Sequence, residues 1–165
     1  MKLVKHPNKW LHTKVNPFDY EKLDAAQISE DMIKAMAEFG GIGLSANQVA
    51  LDAQIFVMQP TVTPGLAAFE VINPIIFEVS EETQLGPEGC LSYPDLWPHV
   101  KRPKQVTAKF FDKNQKECIL TLVDLDARCF LHEYDHLQGI TFEDRISRLK
   151  LNIARKRQLK RLKNG

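Results

Sequence analysis

The chain has few cysteines, no long apolar run and no apolar stretch at its N-terminus. Its three cysteines, at positions 90, 118 and 129 of 165, are too widely spaced for a disulfide framework and suit a reducing compartment. No run of 18 apolar residues could cross a membrane, and the first ten residues lack the apolar region of a secretory signal. These absences predict a cytoplasmic protein without a membrane association.

Acidic residues are missing from the C-terminal end of the chain. The formal net charge is only +1, from 22 Lys and Arg against 21 Asp and Glu. All of the acids lie in residues 1–144, whereas nine of the basic residues lie in residues 145–165. An acidic body with a basic tail can dock on nucleic acid through phosphate contacts, which carry no sequence specificity.

The overall composition is that of an ordinary globular protein. Hydrophobic residues make up 44% of the chain and charged residues 26%. A length of 165 residues suits one hydrophobic core. We therefore expect a single domain over residues 1–165, with residues 147–165 as its basic C-terminal helix.

The most specific motif is HEYDH at residues 132–136, an H-E-x-x-H sequence. It lies in a segment, residues 124–139, that is predicted to be a buried helix, with Asp124 as its N-cap and Gly139 just past its end. On a helix the two histidines lie one turn apart on the same face, so both imidazoles can reach one metal ion. Glu133 is then placed to handle a proton of water at that ion.

Two histidines do not complete a catalytic metal site, which needs a third protein ligand. The longer framework H-E-x-x-H-x-x-G-x-x-H holds as far as its glycine, but Phe142 occupies the last position. Glu143 and Asp144 follow the second histidine too closely along the chain to fold back onto the metal. The remaining choice is upstream, at Cys90 in the segment EGCLS, residues 88–92.

A glycine-rich segment, GIGLSANQ at residues 41–48, matches the G-x-G-x-x-A fingerprint of dinucleotide-binding proteins. That fingerprint requires a strand before it and a helix after it. Here a predicted helix precedes the segment and a predicted strand follows it, so we reject nucleotide binding. The glycines indicate either a turn that ends the helix or a loop that another backbone approaches closely.

Apolar periodicity predicts a helix over residues 20–39 and several strands before the central helix. The strands are expected at residues 54–58, 69–73, 75–79, 106–111 and 118–122. A hairpin turn at 112–115 joins the last two, and a loop rich in Gly and Pro is expected at 86–103. Strands grouped before one buried helix indicate an α+β fold, with antiparallel or mixed β-sheets packed around that metal-binding helix.

The segments GIGLSANQ, EGCLS and HEYDH, in this order, resemble the peptide deformylase family, and the similarity covers nearly the whole chain. The resemblance implies a metallohydrolase that removes the formyl group from N-formylmethionine at the start of nascent polypeptides. It implies that Cys90, His132 and His136 hold one divalent metal ion. Fe²⁺ is the usual ion of the family, and Zn²⁺, Ni²⁺ or Co²⁺ are also compatible with these ligands.

The resemblance also implies roles for residues around the metal. Glu133 would carry a proton to the leaving amine. The side-chain NH₂ of Gln48 and the backbone N–H of Leu91 would stabilise the oxyanion. Asp135 and Arg102 would form an ion pair that orients the metal ligands.

Two regions would contact the substrate, according to the same resemblance. A strand partner for the peptide would be the backbone of Gly41, Ile42, Gly43 and Leu44. The pocket for the methionine side chain would be lined by Ile42, Cys129 and the helix face near Arg128.

The chain departs from the family's motifs at two positions. Ser45 stands where the family commonly has Ala, and we expect little change from so similar a residue. Leu131 stands where Gln commonly precedes the first histidine. Because position 131 is one residue round the helix from the ligand, its side chain should point away from the metal.

Two other functions are weighed against this one. A zinc peptidase that cuts internal peptide bonds would explain HEYDH, but it would not explain EGCLS or Gln48. An RNA-binding module with a structural metal site would explain the basic tail. That site, however, would need a fourth protein ligand, and Glu133 would have no purpose in it.

The C-terminal segment, residues 147–165, is predicted to be a helix with Ile146, Leu149 and Ile153 on one face. Its positive charges would dock on the ribosome, whose surface is RNA and from which the substrate emerges. We expect the protein to be a monomer.

Overall fold

An antiparallel sheet and a buried helix form the centre of the molecule, which the computed structural model describes over residues 1–164. The strands are β1 Gly43–Ser45, β2 Ile55–Met58, β3 Phe69–Val79, β4 Thr83–Pro87, β5 His99–Pro103, β6 Gln105–Phe111 and β7 Glu117–Val123. The helices are α1 Ala25–Glu38, α2 Asp124–Leu137 and α3 Arg148–Asn164, with short 3₁₀ helices at Lys9–His12, Ala46–Val49 and Phe142–Arg145.

The strands form two sheets in which the paired strands run antiparallel. Five strands pair in the order β1-β2-β3-β6-β7, and β4 pairs with β5. Helix α2 packs against β1, β2, β6 and β7, and α1 packs against β1, β2 and β3. In the core, the rings of Phe56 and Phe130 meet edge to face with their centroids 5.1 Å apart. The predicted α+β fold with antiparallel sheets around a central helix is confirmed.

The two strands predicted at 69–73 and 75–79 are one strand, β3. Asn73 has a φ of 49°, and the register with β6 shifts between Ile72 and Ile75. A β-bulge of this kind absorbs the interruption that Pro74 causes, so pairing resumes beyond it. The side-chain oxygen of Asn73 accepts a hydrogen bond from the backbone N–H of Phe18 at 2.8 Å, which fixes the bend.

Helix α1 begins five residues later than predicted. The carboxylate of Asp24 accepts a hydrogen bond from the backbone N–H of Gln27 at 3.0 Å, so Asp24 is the N-cap. Residues 20–23 form a turn before it instead of the first helical turn.

The loop predicted at 86–103 is wrong at both ends. Residues 83–87 and 99–103 form β4 and β5, which pair over five residues on each strand. Because β4 is only half-buried to exposed, it carries no apolar run that sequence periodicity could detect. Cys90 remains in the connection between these strands, where it forms an isolated bridge with Tyr93.

The bounds of α2 differ from the prediction at its start and agree with it at its end. Val123 is the N-cap, whereas Asp124 lies in the first turn with a φ of 51° and donates its N–H to the carbonyl of Lys104 at 2.8 Å. At the other end Gly139 has a φ of +73°, and its N–H bonds the carbonyl of His136. A Cβ at position 139 would lie 2.8 Å from the carbonyl oxygen of His12, so glycine is required there.

Helix α3 packs on the body through residues other than those predicted. Leu151 and Ala154 face the protein, whereas Leu149 is 70% exposed and Ile153 43% exposed. The predicted packing face with Leu149 and Ile153 is therefore wrong. The spacing of apolar residues alone does not show which side of the helix packs against the rest of the protein. Gly165 lies outside the described residues. Among residues 1–164, no helix combines the length and the apolar character needed to cross a membrane.

Candidate metal centre

Three potential metal ligands converge beside the central helix. The ligand atoms of Cys90, His132 and His136 all lie within 4.8 Å of one another. The Nε2 atom of His136 is 3.3 Å from Sγ of Cys90 and 3.2 Å from Nε2 of His132. One thiolate and two imidazoles suit a borderline or soft divalent ion, and three protein ligands leave a coordination position for water. The donor set therefore fits a catalytic metal.

His132 is oriented by Glu88, the first residue of the segment EGCLS, for which the sequence predicts no role. The Nδ1 atom of His132 lies 2.7 Å from Oε1 of Glu88, which leaves Nε2 to face the other ligands. Glu88 also pairs with Arg102 at 2.6 Å and with Arg128 at 2.9 Å. Although burial raises the pKa of Glu88, the hydrogen bonds from His132 and Arg102 hold it well below its ordinary value.

Arg102 joins this ligand support to a second acid on α2. Its Nη1 atom lies 2.5 Å from Asp135, and Arg145 donates to the same carboxylate at 2.5 and 2.9 Å. Asp135 is thus held by two guanidinium groups directly beside the ligand His136. Arg145 was not predicted, because its place in a short helix after α2 depends on the turn at Gly139.

Arg128 lies on the same side of α2 and is 5% exposed. Besides its bond to Glu88, its guanidinium donates to the carbonyls of Val100 at 3.0 Å and Gln84 at 3.1 Å. These contacts tie the small sheet of β4 and β5 to the central helix. Arg128 therefore borders the site with both terminal nitrogens of its guanidinium group bonded to other residues.

Glu133 is buried between the metal ligands and the glycine-rich segment. A Cβ on Gly43 would lie 2.4 Å from Oε1 of Glu133 and 2.9 Å from Sγ of Cys129. Glycine at position 43 is therefore what admits the carboxylate. Burial raises the pKa of Glu133 to about 7, so this carboxyl can gain or lose a proton near neutral pH.

Gln48 reaches the same centre from the short helix that follows β1. Its Nε2 atom lies 3.5 Å from Sγ of Cys90 and 3.1 Å from Oγ of Ser92. Its backbone carbonyl accepts the N–H of Val4 at 2.8 Å. Leu91 follows Cys90 in the chain and lines the same cavity.

A cavity of about 810 Å³ opens onto these groups. The predicted substrate-contacting residues that line it are Gly41, Ile42, Gly43, Arg128 and Cys129. Leu44 does not line it, because its side chain is fully buried where β1 pairs with β2. Several other lining residues were not predicted, among them Leu3, Lys5, Tyr93, Leu96 and Trp97. They come from irregular segments that carry no motif.

The two positions that depart from the family's motifs lie in different surroundings. Leu131 is buried in the hydrophobic core, on the side of α2 away from the ligands. The hydroxyl of Ser45 instead lies 2.9 Å from Oε1 of Gln48, inside the site.

Comparison with known proteins gives concordant matches. A profile of the family described as polypeptide deformylase matches residues 1–152. The chloroplastic peptide deformylase 1B of Oryza sativa is 35% identical over 151 residues, which cover 89% of this chain and 55% of that protein. The chain thus spans about half the length of the rice relative. The peptide deformylase of Rhizobium meliloti is 33% identical over 162 residues, which cover 98% of this chain and 93% of that protein.

The fold is also similar to that of solved structures. The crystal structure of Arabidopsis thaliana peptide deformylase 1B in complex with an inhibitor has a TM-score of 0.86 and 33% sequence identity. The superposition covers 99% of this chain and 91% of that chain.

Proposed function

Because the chain belongs to the polypeptide deformylase family, we propose that it removes the formyl group from N-formylmethionine of nascent polypeptides and releases formate. The observation that carries the proposal is the convergence of three chain segments on one cavity. They bring three metal ligands, a buried carboxyl and a side-chain amide donor together. Hydrolysis of a formamide needs a nucleophile, a proton carrier and an oxyanion donor, and each has a candidate here.

We propose that Cys90, His132 and His136 hold one divalent ion, with Fe²⁺ as the ion in the working enzyme. Zn²⁺, Ni²⁺ and Co²⁺ suit the same sulfur and nitrogen donors. Such an ion supplies Lewis acidity, which polarises a carbonyl and makes water nucleophilic near neutral pH. Glu88, which Arg102 holds by an ion pair, fixes the orientation of the His132 ring, and the Arg102–Asp135 pair lies beside His136 in α2.

Glu133 is the proton carrier in this proposal. Its carboxylate takes a proton from the attacking water and delivers it to the amine nitrogen as the C–N bond breaks. The pKa near 7 supports both halves of this transfer, because neither form is strongly favoured at neutral pH. Gly43 keeps the space beside the carboxylate clear.

The oxyanion of the tetrahedral intermediate is stabilised by two donors. One is Nε2 of Gln48, which faces Cys90, and the other is the backbone N–H of Leu91. The formyl carbon would lie between these donors and Glu133, all of which line the cavity.

The peptide itself binds along β1, which is the edge strand of the five-stranded sheet. Within residues 1–164 no second strand pairs with β1 on its outer edge, and in this proposal the backbone of residues 41–44 contacts an added peptide strand there. Ile42 is 39% exposed and, with Cys129, gives the methionine side chain an apolar surface. Arg128 borders that pocket.

Release of formate from a formyl-Met dipeptide, by protein loaded anaerobically with Fe²⁺, is the deciding experiment. A deformylase yields formate and a free methionyl amine without cutting the chain. A zinc peptidase would instead yield formyl-Met and a free amino acid, with the formyl group still attached to methionine. An RNA-binding module would yield neither product. Among the described residues the metal cluster has three ligands, which is too few for a closed structural site.

The basic helix α3 is proposed to dock on the ribosome. Most of its charged side chains are exposed, although Arg155 pairs with Glu143 at 2.7 Å. A positively charged helix raises the local concentration of enzyme near ribosomal RNA without sequence specificity. We further propose that the protein works as a monomer in the cytoplasm.

A further inference from the structure

The hydroxyl of Ser45 contacts the side-chain amide of Gln48. Oε1 of Gln48 accepts two hydrogen bonds from Ser45, one from the backbone N–H at 3.0 Å and one from the hydroxyl at 2.9 Å. Ser45 is 0% exposed and Gln48 is 1% exposed, so solvent does not reach these groups. Two donors from one residue thus hold the oxygen end of the amide.

The orientation of this amide decides whether Gln48 can act as a donor in the site. With Oε1 held by Ser45, Nε2 faces Ser92 at 3.1 Å and Cys90 at 3.5 Å. A flipped amide would place its NH₂ against the N–H of Ser45, where donor meets donor. It would also turn a carbonyl oxygen toward the cavity, where an oxyanion would be repelled.

The Ser45 hydroxyl gives Oε1 of Gln48 a hydrogen bond in addition to the one from the backbone N–H. The backbone N–H of residue 45 is present whatever the side chain, but the hydroxyl supplies a second donor. Its single proton has further acceptors beside Gln48, because Oδ1 of Asn47 lies 3.0 Å away and the carboxyl of Glu133 also interacts with the Ser45 side chain. Asn47 in turn donates its NH₂ to the backbone carbonyl of the ligand His136.

We propose that Ser45 is a positioning residue that holds the Gln48 amide with its NH₂ toward the reacting centre. The kinetic consequence of this inference rests on the proposed function, in which Gln48 stabilises the oxyanion. The structural consequence does not, because the amide orientation exists before any substrate binds.

The kinetic test is a double-mutant cycle of Ser45→Ala and Gln48→Ala on a formyl-Met dipeptide. Ser45→Ala should lower kcat about 3- to 10-fold and leave KM within about twofold, since substrate binding does not use this hydroxyl. In the Gln48→Ala background the same change should alter kcat by less than about 1.5-fold. Equal losses in both backgrounds, or no loss in the wild-type background, would overturn the positioning role.

A matched control separates positioning from general stability. Ser29 on α1 is 1% exposed, and its hydroxyl has no hydrogen-bond partner among the described residues. Ser29→Ala should leave kcat unchanged. The melting temperatures of both variants are measured alongside, and slowing confined to Ser45→Ala supports positioning. Slowing in Ser29→Ala as well would assign the effect to packing.

Nuclear magnetic resonance of metal-free, ¹⁵N-labelled protein supplies a readout that needs no activity. The side-chain NH₂ signals of Gln48 are identified by their disappearance in Gln48→Ala. They should shift or broaden in Ser45→Ala and stay in place in Ser29→Ala. If these signals change while wild-type protein releases no formate, the proposed function fails and the positioning role stands. Unchanged Gln48 signals in Ser45→Ala would overturn the positioning role, whatever the measured kcat of that variant.

Discussion

At the scale of single residues, Glu133 shows how burial prepares a side chain for chemistry. The residue is 4% exposed, and its Oε2 atom has no hydrogen-bond partner among the described residues. A buried carboxyl without full hydrogen bonding is costly, and such costs are tolerated where function requires them. The free oxygen lies beside the cavity, where water and substrate would supply the missing partner.

Replacing Glu133 by Ala should slow turnover by orders of magnitude and leave the metal bound. The carboxylate is not one of the three clustered ligands, so metal content per chain should stay close to that of the wild type. The rate of formate release should fall about 10²–10⁴-fold or more, because the proton carrier is gone. Metal analysis and kinetics on the same sample check both parts. Activity within about tenfold of the wild type would remove Glu133 from the mechanism.

Replacing Cys90 by Ala should do the opposite and remove the metal. The thiolate is one of only three protein donors in the cluster, so its loss leaves two histidines that bind a divalent ion weakly. Cys118→Ala is the matched control, since Cys118 lies on β7, outside the cluster. Metal content after dialysis should fall in Cys90→Ala alone. Full occupancy and turnover in Cys90→Ala would mean that the ligand set is wrong.

At the scale of elements, the first turn of α2 holds the loop that follows β2. The carboxylate of Asp126 accepts hydrogen bonds from the backbone N–H groups of Thr61, Val62 and Thr63 at 2.7 to 3.3 Å. The hydroxyl of Thr63 donates to it at 2.6 Å. Burial raises the pKa of Asp126, but the hydrogen bonds from these donors together lower it by more. The pKa of Asp126 is therefore below its ordinary value.

Asp126→Asn should therefore destabilise the protein in a pH-dependent way. A carboxylate whose pKa is lowered on folding stabilises the protein above its unfolded pKa and loses that effect as the pH falls. At pH 7 the free energy of unfolding should drop by about 1–3 kcal/mol, and the difference from wild type should shrink below about pH 4. Urea unfolding at several pH values measures this. Asp31→Asn, an exposed change on α1, should cost less than about 0.5 kcal/mol, and a constant difference for Asp126→Asn would contradict the charge-based account.

Helix α3 can be tested for ribosome docking without disturbing its packing. Arg157 and Lys160 are exposed, whereas residues that contact the body include Leu151, Ala154 and Gln158. Reversing both charges, Arg157→Glu with Lys160→Glu, should lower co-sedimentation with ribosomes about tenfold at low salt. Cleavage of short formyl-peptides should stay unchanged. The same reversal at Lys113 and Lys116, in the β6–β7 turn, is the control. Equal sedimentation of all three proteins would leave α3 with a packing role only.

At the scale of the whole molecule, the site exists because distant segments meet. The segment after β1, the connection between β4 and β5, and the middle of α2 supply Gln48, Cys90 and His132. Pairing of β1 with β2 places the first segment, and the network of Glu88 and Arg102 joins the other two. The position of the thiolate relative to the histidines is thus a property of the folded chain.

This arrangement predicts oxygen sensitivity that depends on the metal. A ferrous ion held by the thiolate of Cys90 favours oxidation of the metal and then of the sulfur. Activity with Fe²⁺ should decay in air, whereas activity with Ni²⁺ or Co²⁺ should persist. Formate release is followed over time in air and under argon, with thiol titration of the inactivated protein. Equal decay with every ion would contradict damage centred on iron.

Helix α2, which contains residues 132–136, and the hairpin of β6 and β7 were predictable because both depend on local sequence patterns. Residues four apart share a helix face, and alternation with a polar turn between two runs indicates a hairpin. The pairing of β4 with β5 was missed, since exposed strands carry no apolar period. The packed face of α3 was misassigned for a related reason, because several apolar residues compete and only contact with the body decides among them.

The sequence by itself determined the chemistry that the site can offer, through the types and spacing of the residues in its three motifs. An H-E-x-x-H segment in a buried helix aims two imidazoles at one point whatever surrounds it. Tertiary structure alone decided which acid supports His132 and which guanidinium groups hold Asp135. These contacts join residues up to 44 positions apart. Contacts between residues so far apart along the chain produce no periodic pattern in the sequence from which they could be predicted.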